Sequence, residues 1–294
     1  MFLAQKNVFT PRLLAVAKDR ELELGPRAKI MGILNVTPDS FSDGGLDASV
    51  DAAVERARAM VSQGADIIDI GGESTRPGAD PVTALEEQRR VLPIIEALAG
   101  EEGGALISID TYRAETARLA LEAGAHMVND VWGLQYEPMI ASVAADFGAG
   151  VCIMHTGRDR ERLADPVADQ FAWFTRSLDI ARKAGIEARS LLLDPGFGFA
   201  KEQLDDNLSL IVRFGELHGL GLPLLAGTSR KRFIGTMTGR EAADRDAGTA
   251  ATSVMLRLAG AGVFRVHNVA INRDALAVAD AMLKWSLSQD HAHG

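Results

Sequence analysis

Short, wholly apolar runs alternate along the chain with longer segments whose apolar residues recur every three or four positions. The apolar runs lie near residues 30–34, 66–70, 105–109, 126–129, 150–154, 190–193, 222–226 and 262–266. They lack polar alternation, the mark of strands covered on both faces. The periodic segments read as helices: Asp47 or Ser49 caps one running through Gln63, Thr83 one through Leu98, and Thr111 one through Glu122. Pro166 opens another through Lys183, Asp244 or Arg245 starts one through Leu258, and Asn272 starts the last. Gly64, Gly124, Gly185 and Gly260 each follow such a segment, where a left-handed closing residue is wanted. Eight strand-helix repeats with apolar strands predict a parallel sheet closed into a (β/α)8 TIM barrel, an α/β single domain over residues 29–285. Residues 1–28 are expected as a short N-terminal extension capping the barrel bottom, and residues 286–294, with His291 and His293, as a disordered tail.

Composition narrows the function more than the fold. With 294 residues, 47% hydrophobic and 24% charged, the chain can bury a substantial core without disulfides or metals. A net charge of −9 argues against nucleic acid or an anionic membrane as partner, since both reward a basic surface. The single cysteine, Cys152, sits in the apolar run Val151-Cys-Ile-Met, as a small buried hydrophobe would. There is no signal-peptide pattern and no uninterrupted apolar stretch approaching ~20 residues, so a cytoplasmic, membrane-free protein is expected.

Chemistry gathers where the apolar runs end. Asn35, Asp69, Asp110, Asn129, His155, Asp194, Thr228 and Arg265 fall at or just past the C-terminal ends of the strands. In a barrel those ends converge on one mouth, the place where such folds carry their sites. Any one of them could simply cap a turn or helix. Their recurrence after so many apolar runs favours a site. Two runs also open into glycine-rich polar loops, Asn35-Val-Thr-Pro-Asp-Ser-Phe-Ser-Asp-Gly-Gly45 and Gly71-Gly-Glu-Ser-Thr-Arg-Pro-Gly78, suited to a small charged ligand.

These loops, with Ser108-Ile-Asp-Thr111, Val128-Asn-Asp130, Met154-His155, Leu193-Asp-Pro-Gly-Phe-Gly198, Gly227-Thr-Ser-Arg-Lys231 and Arg265-Val-His267, give a chain that resembles the dihydropteroate synthase family from about Ile30 to Met282. The resemblance implies a pterin-binding barrel that joins 6-hydroxymethyl-7,8-dihydropterin diphosphate to 4-aminobenzoate, releasing pyrophosphate in folate synthesis. It places Asp110, Asn129, Asp194 and Lys231 in the pterin pocket. A reduced pterin presents adjacent N–H donors that match a carboxylate in two-point geometry, which suits Asp194. Thr75, Arg76, Arg265 and His267, with Asn35, are the candidates for the diphosphate. Asn35 is expected to share Mg2+ with it, since that ion takes few protein ligands plus phosphate oxygens. The 4-aminobenzoate is expected against Phe41, Pro77 and Phe197, its carboxylate near Ser229, Arg230 or Arg232. Asp110, Lys231, Arg265 and His267 are the candidate catalytic residues, acting by neutralising the leaving group and stabilising a pterin cation rather than through a protein nucleophile. The family also implies a homodimer through the last two barrel helices, both apolar over more than one stripe.

Three positions depart from the commoner family pattern: Thr156-Gly157-Arg158 after His155, Ala200 where glycine is usual, and Asn268 where aspartate is usual. A folate methyltransferase barrel would share Asp110, Asn129 and Asp194 but would not need Thr75-Arg76 or Arg265 for a diphosphate. A silent pterin-binding paralogue would not need the intact loops at 35–45 and 73–78. A generic phosphate-binding barrel is the third alternative.

Overall fold

The computed structural model describes residues 4, 6–36, 45–73, 82–101, 104–201 and 203–289. Eight parallel strands follow the order of the apolar runs: β3 (Lys29–Asn35), β4 (Ile67–Gly71), β5 (Leu106–Asp110), β6 (Met127–Asp130), β7 (Gly150–Met154), β8 (Leu191–Asp194), β9 (Leu225–Ala226) and β10 (Val263–Val266). Neighbours in sequence pair side by side from β3 to β8, and β10 pairs with both β3 and β9. The remaining seam, β8 to β9, closes through a single bridge between Leu193 and Leu224, with Leu193 N–H donating to the Pro223 carbonyl at 3.0 Å. The seventh strand is shorter than its apolar run because Pro223 has no N–H to give a ladder. The sheet is thus a (β/α)8 barrel, as the alternation predicts.

Helices α1 (Gly45–Ser62), α2 (Ala84–Ala99), α3 (Ala114–Ala123), α5 (Pro166–Ala184), α8 (Asp246–Leu258) and α9 (Val269–Gln289) match the periodic segments. Thr83 Oγ1 accepts from Glu86 N, Asp165 Oδ1 from Val167 N, and Gly185 closes α5 at φ 88°, whereas α1 already begins at Gly45, ahead of both Asp47 and Ser49. Thr111 is not the cap of α3; its Oγ1 accepts from Arg113 N at 3.2 Å and the helix begins at Ala114. The last helix starts at Val269 rather than Asn272, whose side chain turns inward between Ser253 Oγ and the Asn268 carbonyl. That helix also runs on to Gln289, past the boundary drawn at 285; His291 and His293 lie outside the described residues. Three short helices, α4 (Met139–Asp146), α6 (Leu204–Val212) and α7 (Arg232–Thr238), went unplaced by periodicity because none has a side-chain N-cap hydrogen bond or exceeds nine residues.

Residues before the barrel form a hairpin, β1 (Arg12–Val16) and β2 (Arg20–Leu24), paired antiparallel from Arg12↔Leu24 to Val16↔Arg20. Lys18 and Asp19 turn it at φ 60° and 53°, the left-handed pair a tight hairpin needs. Leu14, Val16, Leu22 and Leu24 from its inner face pack with Met31, Ile67, Leu106, Met127, Cys152, Leu192, Leu225 and Val263, one inward residue from each barrel strand. This plug fills the floor. The larger core lies between the outer face of the barrel and the helices. With the floor packed, the polar strand ends at the opposite end are where a ligand can enter.

Candidate active site

The strand ends form a ring of buried polar side chains. Asp69, at the middle of β4, is fully buried and accepts from Asn129 Nδ2 at 3.0 Å and from Arg265 Nε at 2.6 Å. The other end of the same guanidinium donates from Nη2 to Asp110 Oδ2, also at 2.6 Å. Arg265 therefore forks between two carboxylates from β4 and β5, reaching across from β10. Burial opposes its charge, yet Asp69 and Asp110 together hold its pKa above the usual arginine value. Burial drives Asp110 the other way: its carboxyl is pushed up to about 7, with Arg265 pulling against the shift and Asp69 adding to it.

Two glycines keep this layer open. A Cβ on Gly71 would stand 3.6 Å from Asp110 Oδ2 and 3.8 Å from Asn35 Oδ1, so its absence leaves Asn35 and Asp110 facing a shared space. A Cβ on Gly227 would stand 3.4 Å from Asp194 Oδ2 and 4.0 Å from Arg265 Cβ. The other oxygen, Asp194 Oδ1, accepts from Gly196 N at 2.8 Å, and burial raises the pKa of the group. Asn129 Oδ1 and Asp69 Oδ1 are buried with no hydrogen-bond partner among the described residues. Buried polar atoms are paired in the great majority of cases, so these two acceptors stand out.

The structure thus brings Asn35, Asp110, Asn129, Asp194 and Arg265 to one mouth, and adds Asp69, which the sequence placed at a strand end without a role. Lys231 joins them from the start of α7. Its Nζ lies 3.9 Å from the centroid of the Phe199 ring, and burial, helped by Arg265, lowers its pKa to about 8. Phe199 was not among the expected ligand contacts; its ring also carries the Arg158 guanidinium at 4.9 Å, in the segment that departs from the family pattern. Ser229 and His267 link the ends of β9 and β10: Ser229 Oγ lies 2.9 Å from His267 Nδ1 and accepts from His267 N at 3.1 Å.

Two expectations for the aminobenzoate need correction. Phe197 has no exposed surface; its ring stacks on Phe214 with centroids 6.4 Å apart and contacts Phe233 at the same separation, so it is core. Its glycine neighbours let the loop turn the ring inward, a detail that residue identity does not reveal. The Arg230 guanidinium is committed elsewhere, donating through Nε and Nη2 to the two oxygens of Asp246 at 2.7 and 2.9 Å. Asn268 donates to the same carboxylate at 2.9 Å, which gives that departure from the family pattern a structural partner. Arg232 is exposed at the first turn of α7. Phe41, Thr75, Arg76 and Pro77 lie outside the described residues. The described flanks of the second loop are tied together: Arg113 donates to Glu73 Oε2 at 2.7 Å and to the Val82 carbonyl at 2.7 Å.

A parallel barrel with buried carboxylates, amides and cations at its C-terminal mouth is a barrel enzyme for a small, hydrogen-bonding, charged substrate. Comparison with known proteins gives the particular kind. Residues 31–267 match the model of the pterin binding enzyme family. The dihydropteroate synthase of Bacillus subtilis (strain 168) is 44% identical over 266 residues, covering 90% of this chain and 92% of that protein. The Escherichia coli (strain K12) dihydropteroate synthase is 43% identical over 260 residues, covering 86% of this chain and 91% of its own length. Among solved structures, the Xanthomonas albilineans dihydropteroate synthase with 4-aminobenzoic acid superposes with a TM-score of 0.86 at 44% identity, covering 93% of this chain and 99% of that one. The chain belongs to the pterin-binding enzymes, and within them to the dihydropteroate synthases.

Proposed function

We propose that the mouth binds 6-hydroxymethyl-7,8-dihydropterin diphosphate and 4-aminobenzoate and couples them with loss of pyrophosphate, the transferase reaction of folate biosynthesis. The arrangement that best supports this is the facing set of Asp194, Asn129 and Lys231. Gly196 N fixes Asp194 Oδ1 and not Oδ2, and Asn129 Oδ1 lacks a hydrogen-bond partner among the described residues. A ring edge with adjacent N–H donors answers both needs. Lys231, beside Phe199, supplies a donor to a ring nitrogen or carbonyl on the opposite edge.

In this reading Arg265 acts mainly by holding Asp69 and Asp110 in place, since two of its donors are engaged with them. Asp110 then faces the methylene side of the ring, where its carboxylate stabilises the positive charge that develops as the carbon–oxygen bond breaks. The amine nitrogen of the aminobenzoate attacks that carbon, its lost proton passes to solvent, and pyrophosphate leaves with the bonding pair. Ser229, held by His267, and exposed Arg232 are the described donors proposed for the aminobenzoate carboxylate. Asn35 offers one hard carbonyl oxygen beside Asp110, and no group of three or more metal-ligating side chains occurs among the described residues. That donor set fits an ion which draws most of its ligands from water and phosphate, so Asn35 is proposed as the protein ligand of Mg2+. When bound, Mg2+ would neutralise the leaving pyrophosphate.

A cytoplasmic location and a homodimer belong to the same proposal. No helix among the described residues is long and apolar enough to cross a membrane. The outer face of α9 shows Val278 at 60%, Met282 at 56% and Trp285 at 68% exposure, a patch suited to a second copy. The activity is tested by measuring pyrophosphate release from the pterin diphosphate with and without 4-aminobenzoate. Release coupled to formation of dihydropteroate is expected; a protein that binds pterin and releases nothing would refute the reaction.

A further inference from the structure

Behind the ring pocket lies a group of ionisable side chains for which the proposed chemistry has no use. Lys201 is 3% exposed and its Nζ donates to three acceptors: His155 Nδ1 at 3.0 Å, the Gly196 carbonyl at 2.8 Å and the Phe199 carbonyl at 3.4 Å. An ammonium has three N–H donors and all three are matched. The partners are neutral atoms, so no carboxylate at hydrogen-bond distance offsets the cost of burying the charge, and burial pulls the pKa down to about 7. Such a charge is retained where its geometry is needed.

That geometry converges on one loop. Gly196 N holds Asp194 Oδ1, Phe199 N donates back to the Gly196 carbonyl at 3.1 Å, and a Cβ at Gly198 would stand 3.3 Å from the Lys231 stem. Ala200 is left-handed at φ 51°, a conformation that non-glycine residues rarely adopt and that the surrounding bonds must hold. On the far side, His155 is itself fixed. With Nδ1 accepting from Lys201, Nε2 carries the proton and faces Asp169 Oδ2 at 2.9 Å, with Arg160 Nη2 also 2.9 Å from that nitrogen. Asp169 in turn takes Arg160 Nη1 and Nη2 at 2.9 and 2.6 Å and Leu163 N at 3.0 Å. Burial keeps the imidazole neutral, its pKa lowered to about 3. Arg160, Asp169, His155 and Lys201 form a relay of hydrogen bonds from the barrel surface to the back of the ring pocket.

We infer that Lys201 is a positioning residue for pterin recognition: by gripping the carbonyls of Gly196 and Phe199 it sets the Asp194 carboxylate and the Phe199 ring, with His155 and Asp169 aiming the grip. The inference rests on the reading of Asp194, Asn129 and Lys231 as the ring pocket. It assigns Lys201 no contact with substrate.

The test compares affinity for a dihydropterin lacking the diphosphate with affinity for pyrophosphate and magnesium, by calorimetry, in Lys201→Met. Ring affinity is expected to fall 10-fold or more while pyrophosphate affinity stays within about 2-fold of wild type. A residue of general structural importance would weaken both together, and that result, or unchanged ring affinity, overturns the inference. Should Lys201→Met fail to fold, His155→Leu removes one of the three acceptors, and a smaller ring-selective loss of about 3-fold is expected from it; loss of both affinities or of neither overturns the proposal there too. Asp194→Ala, measured alongside, separates the two levels. If it leaves ring affinity intact, the pocket reading is wrong; if it abolishes ring binding while both relay variants bind normally, only the positioning role fails.

Discussion

Replacing Arg265 by methionine tests the strand-end network most directly, because it removes a cation and leaves its two buried partners behind. Arg265 donates to Asp69 and Asp110 at 2.6 Å each, and Asp69 is fully buried. Two hydrogen bonds to charged groups are worth about 1.5–3 kcal/mol apiece, and breaking a buried ion pair from one side costs about 3–5 kcal/mol. The second range is the better guide, since the first counts the bonds without the stranded charges. For a barrel of this size a loss of about 3–5 kcal/mol lowers Tm by roughly 5–8 °C. The sign of the pH dependence follows from Asp110. Its folded-state pKa, already raised to about 7, goes higher once Arg265 no longer pulls it down. A carboxyl whose pKa is raised on folding contributes its stability at low pH and loses it as pH rises through the folded pKa. The deficit of the variant, measured by denaturant unfolding, is therefore expected to be larger at pH 8 than at pH 6. Adding Asp110→Asn should recover part of it at pH 8, a non-additive pair. A deficit below about 1 kcal/mol that does not change with pH would show that the fork does not exist in solution and would remove the basis for Asp110 as a positioned carboxylate.

Three further outcomes are expected. Asp194→Ala loses a charge-assisted pair of about 1.5–3 kcal/mol with the ring, hence ~10-fold or more in pterin affinity by calorimetry, with little change in Tm; unchanged affinity would move the ring elsewhere. The pH profile of kcat/KM should rise through about 7 as Asp110 ionises and fall above about 8 as Lys231 loses its proton, and Lys231→Met should lose the alkaline limb; a flat profile from 6 to 9 contradicts both assignments. Val278→Arg, on the exposed face of α9, should convert a sedimenting dimer to monomer without altering the ring affinity; a wild-type protein that is already monomeric at micromolar concentration refutes the dimer.

The barrel was legible because its strands are apolar on both faces, and the site because each ended in a polar residue with no solvated face to occupy. What was not legible depended on where a chain turns rather than on what it contains. The floor hairpin turns at Ala17-Lys18-Asp19, without the Asn-Gly or Asp-Gly pair that signals a tight turn, so residues 12–24 read only as an extension. Phe197 and Phe199 stand two apart in the same glycine-rich loop, yet one is core and the other faces Lys231; alternation alone does not tell which. Arg230 and Arg232 are equally cationic in sequence, and only tertiary placement shows that Asp246 already holds the first. The Lys201 relay joins residues 46 positions apart, a pairing no local pattern announces.

In the proposed reaction the leaving group is neutralised from outside the strand-end layer, and the charge balance of the mouth gives the reason. Within that layer Asp69, Asp110 and Asp194 stand against Arg265 and Lys231, and Arg265 already has two donors on Asp69 and Asp110. Acids prevail there, which suits N–H donors of a ring and positive charge growing at its methylene. The same balance repels a diphosphate. Of the candidates for it, Arg265 is engaged with the two carboxylates and His267 with Ser229, and Thr75 and Arg76 belong to the second loop, whose described flanks Arg113 draws together at Glu73 and Val82. On the proposed reading, ring binding draws on the strand-end layer alone while bond breaking also needs charge neutralisation at the far end of the substrate, so ring recognition and turnover should separate cleanly under mutation.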